Sequence, residues 1–261
     1  MAGLFQREPI VLVHGLFGSL SDPTITGAFG GATAYTPDLI GYGTLRELNT
    51  SELTLDDQAK RVAEFISKQV GTKVHLVGHS VGGAVSALVA MRHPELVASF
   101  TSVEGNFTLK DAFWSGQIAE KPVAEVEAIV ADLMANPDDW IAGAGVPLNE
   151  WTSALARQWL ANQPASTIKA QARAVVAATG KDAYLEGMRR LMASGMPVFL
   201  IAGARSSDGW DTPLWANQMC SMRINIPNAG HLMMAEDPHA FAKAVLACVG
   251  SGMGTAPLRG E

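Results

Sequence analysis

The pentapeptide Gly78-His79-Ser80-Val81-Gly82 constrains this chain more than any other stretch. It lies between a short apolar run, Val74–Gly78, and a segment rich in Ala, Val and Leu, Gly82–Arg92, which Pro94 closes. The run reads as a buried strand and the segment after it as a buried helix. Ser80 therefore stands on a strand-to-helix turn with almost no residues to spare. Such a turn crowds the positions two before and two after the serine, and both are glycine. It also lifts the serine hydroxyl off the strand end and onto a helix N-terminus, where free N–H groups and the helix dipole favour developing negative charge. With 26 glycines in the chain, the pentapeptide carries weight only through this setting.

The same alternation recurs along the chain. Ile10–His14 is a continuous apolar run, the pattern of a strand buried on both faces, and Ala32–Pro37 reads as a second strand. Leu55, Ala59, Val62, Ile66 and Val70 recur at helical spacing, which predicts a helix over Leu55–Val70 that Gly71 ends. Val97–Val103, Pro197–Gly203 and Met222–Ile226 read as further strands. Asp237 as N-cap and Pro238 at the first position predict a final helix to about Val249, followed by a loose tail after Gly250. Repeated strand–helix–strand units imply a mostly parallel, doubly wound α/β sheet covered on both faces. Residues 107–192 break the pattern. They are strand-poor and hold Trp114, Trp140, Trp151 and Trp159, which reads as short helices inserted in a core formed by residues 1–106 and 193–261.

Composition narrows the function. With 261 residues, 48% of them hydrophobic, the chain can bury a sizeable core. A net charge of -6 without long like-charge runs argues against nucleic acid or an anionic membrane as partner. The two cysteines, Cys220 and Cys248, are too few for a disulfide framework, and no His/Cys cluster points to a metal. The first residues lack the pattern of a signal peptide and no run is long enough to span a membrane, so a cytoplasmic location is expected.

Three further motifs stand at strand ends. His14-Gly15-Leu16 follows the first strand, Asp38-Leu39-Ile40-Gly41-Tyr42-Gly43 the second, and Asn228-Ala229-Gly230-His231 the last. Together with the Ser80 pentapeptide they resemble the α/β-hydrolase superfamily, and the match runs through nearly all of the chain outside residues 107–192. The resemblance implies the α/β-hydrolase fold with residues 107–192 as a helical cap. It implies Ser80 as nucleophile, His231 as its base, the backbone N–H groups of Leu16 and Val81 as the oxyanion hole, and no metal or organic cofactor. The acid that holds the imidazole stays open. In the commonest version of the family it is an Asp three residues after the glycine of the Pro197–Gly203 strand, and Ser206 occupies that place. A rarer version takes it from the end of the preceding strand, where Glu104 lies. Glu104 is favoured, with Asp208 the alternative and Asp211 third.

These parts predict a serine hydrolase acting on a small carboxylic ester or lactone with an apolar moiety, through an acyl-enzyme. Phe17, Phe107 and the insertion's tryptophans, Trp114 first, are expected to line its pocket, with Phe113 and Met192 near the same entries; packing of the insertion's own core is the plain alternative for the tryptophans. Dehalogenases and epoxide hydrolases of this fold use an Asp nucleophile, which Ser80 argues against. A carbon–carbon bond hydrolase and a hydrolase-like small-molecule receptor share the same residue set and remain open, with hydroxynitrile lyases and cofactor-free dioxygenases behind them. The oligomeric state is not expressed in these motifs.

Overall fold

Each continuous apolar run becomes a strand with helices on both sides. A computed structural model of the chain describes residues 8–252, so the N-terminal segment and the tail beyond Gly252 lie outside the described residues. The strands are β1 (Ile10–Val13), β2 (Ala34–Tyr35), β3 (Val74–His79), β4 (Val97–Val103), β5 (Val198–Gly203) and β6 (Met222–Ile226). They form one sheet in the order β2-β1-β3-β4-β5-β6, and every pairing is parallel. The strand order reverses at β1, so β1 and β3 diverge in their connections and leave a crevice at their carboxyl ends.

Side chains alternate across the sheet and feed two apolar layers. Val11, Val13, Leu200 and Ala202 face one layer, packed by α2 (Leu55–Phe65) and α3 (Val81–Arg92). Ile10, Leu12, Phe199 and Ile201 face the other, packed by α1 (Pro23–Gly27) and α12 (Pro238–Gly252). Between β4 and β5 every regular element is a helix: α4 (Phe113–Glu120), α5 (Val123–Ala135), α6 (Pro137–Gly143), α7 (Glu150–Ala161), α8 (Ala165–Thr179) and α9 (Asp182–Ala193). Two short helices, α10 (Leu214–Met219) and α11 (Met233–Glu236), complete the α/β layers.

Three expected boundaries shift. The second strand contracts from Ala32–Pro37 to Ala34–Tyr35, because Pro37 has no N–H to donate and β2 is an edge strand with one neighbour. The helix expected over Leu55–Val70 is α-helical only to Phe65; Ile66–Val70 widens into a π turn that Gly71 ends at φ 74°. The final helix runs past Val249 to Gly252, with Asp237 Oδ1 accepting the Ala240 N–H at 2.8 Å as its N-cap. Neither cysteine is disulfide-bonded. Among the described residues no helix is long and apolar enough to cross a membrane.

Candidate active site

The Ser80 turn owes its shape to backbone contacts that only glycine permits. Ser80 sits between β3 and α3 at φ 53°, ψ -123°, a region that L residues rarely enter. Its N–H donates to Val103 O at 3.0 Å, and its carbonyl accepts from Gly83 N at 2.8 Å. A Cβ on Gly78 would lie 2.3 Å from Gly82 O. One on Gly82 would lie 2.3 Å from the carbonyls of Val13 and His14. The two glycines thus let α3 start directly against the ends of β1 and β3.

Glu104 follows the last residue of β4 and is 6% exposed. Its N–H donates to Ile201 O at 3.0 Å, which pins it to β5. Its Oε2 lies 2.6 Å from His231 Nδ1. Its Oε1 accepts the Gly203 N–H at 2.8 Å and the Ser206 hydroxyl at 2.5 Å. Burial pushes this carboxyl up, but the bond and charge of His231, with the Ser206 and Gly203 donors, outweigh burial and hold it below the usual carboxylate range. A carboxylate at Oε2 fixes the proton on Nδ1 and leaves Nε2 as the ring's acceptor. Asp208 is exposed on a single 3-10 turn, Ser207–Gly209, and makes no hydrogen bond through its carboxylate among the described residues. Asp211 is taken up at the start of the insertion, where it accepts the Thr108 hydroxyl at 2.7 Å and pairs with Lys110 at 3.4 Å.

The loop carrying His231 is held from three sides. Glu236, with a side chain 6% exposed, accepts the Gly230 N–H at 2.8 Å and pairs with Arg205. Arg205 also donates to Gly145 O at 3.2 Å, tying the helical insertion to this loop. His79 donates from Nε2 to His231 O at 2.9 Å, with the two rings 4.6 Å apart. Burial, and next the charge of His231, push the His79 imidazole well below its usual range, so it stands there neutral. Among the described residues, three non-glycine residues have left-handed φ: Ser80, Glu104 and Asn228, three positions before His231. Backbone strain of this kind gathers where surrounding structure over-determines a functional geometry.

Leu16 and Val81 flank the serine. The Leu16 N–H donates no hydrogen bond among the described residues, and that of Val81 is the first of α3, without an acceptor inside the helix. The Leu16 carbonyl accepts the Tyr42 hydroxyl at 2.9 Å, which is how the Asp38–Gly43 stretch supports this loop. His14 is buried, with Nδ1 2.9 Å from Gly15 O; burial pushes its imidazole down to about 4, consistent with a structural part.

Ser80, His231, Leu16, Phe17 and Trp114 line one cavity of about 330 Å³. Phe17 meets Trp114 edge-on at 5.1 Å and Trp140 at 5.8 Å. Phe107, expected to line the pocket, does not. It is 1% exposed and turned away from the cavity onto Trp210 and Trp215, because its neighbour Asn106 takes the cavity-facing place. Phe113 is exposed and Met192 buried, and neither lines the cavity. Of the insertion's four tryptophans, Trp140 and Trp159 line it beside Trp114, while Trp151 does not; Asn106 also lines it and carries no motif in the sequence. A larger open groove of about 520 Å³ runs along α3 and α9, lined by Asp56, Arg92 and Lys181 among others, but it holds no nucleophile–base pair.

A model of the alpha/beta hydrolase family matches residues 10–244. The chain belongs to this family. Relatives within it include "Lipase 3" of Moraxella sp. (strain TA144), 31% identical over 113 residues that cover 42% of this chain and 34% of that protein. "Ethanol acetyltransferase 1" of Cyberlindnera fabianii is 29% identical over 137 residues, 51% of this chain and 40% of that protein. The match thus spans well under half the length of these curated relatives. A carboxylesterase structure from Nitrososphaera gargenis superposes with a TM-score of 0.71 at 18% identity, covering 95% of this chain and 91% of that one, which establishes the shared alpha/beta hydrolase fold.

Proposed function

We propose that this chain is a serine hydrolase of carboxylic esters, lactones included, that carry an apolar moiety. The observation that carries the reading is the 2.6 Å pairing of His231 Nδ1 with buried Glu104, on a cavity that Ser80 and His231 share. In the reaction His231 Nε2 takes the Ser80 proton as Oγ attacks the ester carbonyl. The N–H groups of Leu16 and Val81 receive the oxyanion, and Glu104 stabilises the imidazolium. Collapse expels the alcohol, which takes the proton back from His231. Water, deprotonated by the same imidazole, then attacks the acyl-enzyme and releases the acid. Ser80 Oγ makes no hydrogen bond among the described residues; nucleophile and base draw together once substrate fills the cavity. Residues 107–192 act as a cap, since Trp114, Trp140 and Trp159 give the cavity its apolar wall.

The alcohol acetyltransferase relatives support a second fate for the same acyl-enzyme, attack by an alcohol instead of water. Labelling with a fluorophosphonate probe, beside Ser80→Ala, tests the core of the reading. The native chain labels and turns over simple esters, while Ser80→Ala does neither. A folded native chain that does not label, or a Ser80→Ala chain that still does, overturns it. Ethanol added to the ester assay separates the two fates by the yield of ethyl ester against free acid.

A further inference from the structure

One guanidinium stands between the His231 loop and the helical insertion. Arg205 lies two residues beyond β5, and its N–H donates to Ala229 O at 2.9 Å, which fixes its backbone to the His231 loop. The side chain reaches on with a single nitrogen. Nη2 pairs with Glu236 Oε2 and donates to Gly145 O at 3.2 Å. A terminal guanidinium nitrogen carries two N–H groups, so the two partners use both. Two glycines make room for this arrangement. A Cβ on Gly145, which stands at φ 87°, would lie 2.9 Å from Nη2. One on Gly230 would lie 3.1 Å from Glu236 Oε1 and 3.2 Å from Nη2.

The two arms end at different parts of the site. The Glu236 side chain is 6% exposed, and its Oε1 accepts the N–H of Gly230, the residue before His231, at 2.8 Å. A buried carboxylate needs a cation, and Arg205 supplies it while holding Glu236 against the loop that carries the base. The other arm ends just past α6, and Trp140 and Ala144 from that end of the helix line the Ser80 cavity. Other tethers of the insertion reach core loops that carry none of Ser80, Glu104 and His231, such as Trp151 Nε1 on Asp22 Oδ1 at 3.1 Å and Arg46 on Ala161 O at 3.2 Å. Arg205 is itself 49% exposed, so the ion pair adds little to stability through its charge alone. What it supplies is placement, of the base loop on one side and of a cavity wall on the other.

Resting on the serine-hydrolase reading, we propose that Arg205 is a positioning residue: through Glu236 it places His231, and through Gly145 it holds the Trp140 wall, so that base placement and the seating of an apolar chain depend on one side chain. The test measures kcat and KM for p-nitrophenyl acetate and p-nitrophenyl hexanoate. It uses the full chain, Glu236→Gln, Arg205→Lys, Arg205→Met and the Glu236→Gln/Arg205→Met double variant, each checked for folding by circular dichroism. Glu236→Gln lowers kcat about tenfold on both esters and leaves KM near native, because the guanidinium still holds Gly145 O. Arg205→Lys does the opposite. Its shorter ammonium stays with the carboxylate rather than the neutral carbonyl, so kcat remains near native while KM for the hexanoate alone rises about fivefold. Arg205→Met shows both effects, and the double variant loses no more kcat than the worse single one, since both act through one link. These crossed changes in kcat and KM are what a general loss of stability would not produce, and Glu236→Gln against Arg205→Lys reads them even where Arg205→Met does not fold. A native kcat in Glu236→Gln, a native hexanoate KM in Arg205→Lys, or kcat losses that multiply in the double variant overturns the assignment. If the native chain still labels with fluorophosphonate, the hydrolase reading survives that result. A folded native chain that neither labels nor cleaves either ester overturns both.

Discussion

At the scale of single residues, the proposed catalytic acid is set by strand register. Glu104 follows β4, next to Ser80's strand, and Asp208 follows β5, one strand further out; spacing alone does not choose between them. Register does. β4 and β5 pair Val103 with Ile201, and the Glu104 N–H continues that ladder to Ile201 O, which brings the carboxylate level with the His231 loop. Ser206, at the place of the commoner aspartate, becomes a donor to that carboxylate instead. Glu104→Gln would set an amide N–H against Nδ1 and force the wrong imidazole tautomer, which cost about 10⁴ in a well-studied serine protease. We expect fluorophosphonate labelling to slow by about 10³–10⁴ in Glu104→Gln and to stay near native in Asp208→Asn. Ser206→Ala, which removes one of two donors on Oε1, costs about tenfold or less. The reverse ranking of the first two variants would move the acid to Asp208.

At the scale of elements, the strands were the most legible parts. Parallel strands covered on both faces favour apolar side chains at every position, and Ile10–Val13 and Val198–Gly203 show that as unbroken runs, whereas Val97–Val103 buries Ser99, Thr101 and Ser102 among its apolar residues. The edge strand β2 has no such requirement, and its sequence overstated its length. Helical periodicity located α2 but could not register the π turn at Ile66–Val70, because Val70 is still apolar there. The insertion was legible as helical, while which of its aromatics face Ser80 was not. That choice depends on how α4, α6 and α7 pack on the loop after β1, and no local pattern encodes it. Asn106 was not legible for the opposite reason: a single asparagine carries no motif.

At the scale of the molecule, buried neutral imidazoles tie stability to pH. Burial pushes His14 down to about 4 and His79 well below its usual range, and His75 shifts in the same direction for the same reason. Below pH ~6.5 the unfolded chain takes up protons that the folded chain refuses, so stability present above that pH is lost as pH falls towards about 4. Glu104, held below its ordinary value, adds to the loss only at still lower pH. Urea unfolding should show a midpoint that is level from about pH 8 to 7 and declines by about 5, each imidazole contributing up to about 1.4 kcal/mol per pH unit. A midpoint constant down to about pH 5 would contradict this. The sheet order has a separate consequence for how activity first arises. Ser80 hangs from β3, Glu104 from β4, its Ser206 donor from β5 and His231 from beyond β6, four adjacent strands whose contacts span as much as 152 residues, between His79 and His231. Local pairings form early and such distant ones late. On the proposed reading, a half-built sheet therefore carries the serine with no acid and no base. Recovery of ester cleavage during refolding is then a clock for the last strand to dock, trailing the return of helical circular dichroism. Cleavage that returned together with the helices would mean that the chain is chemically armed before it is whole.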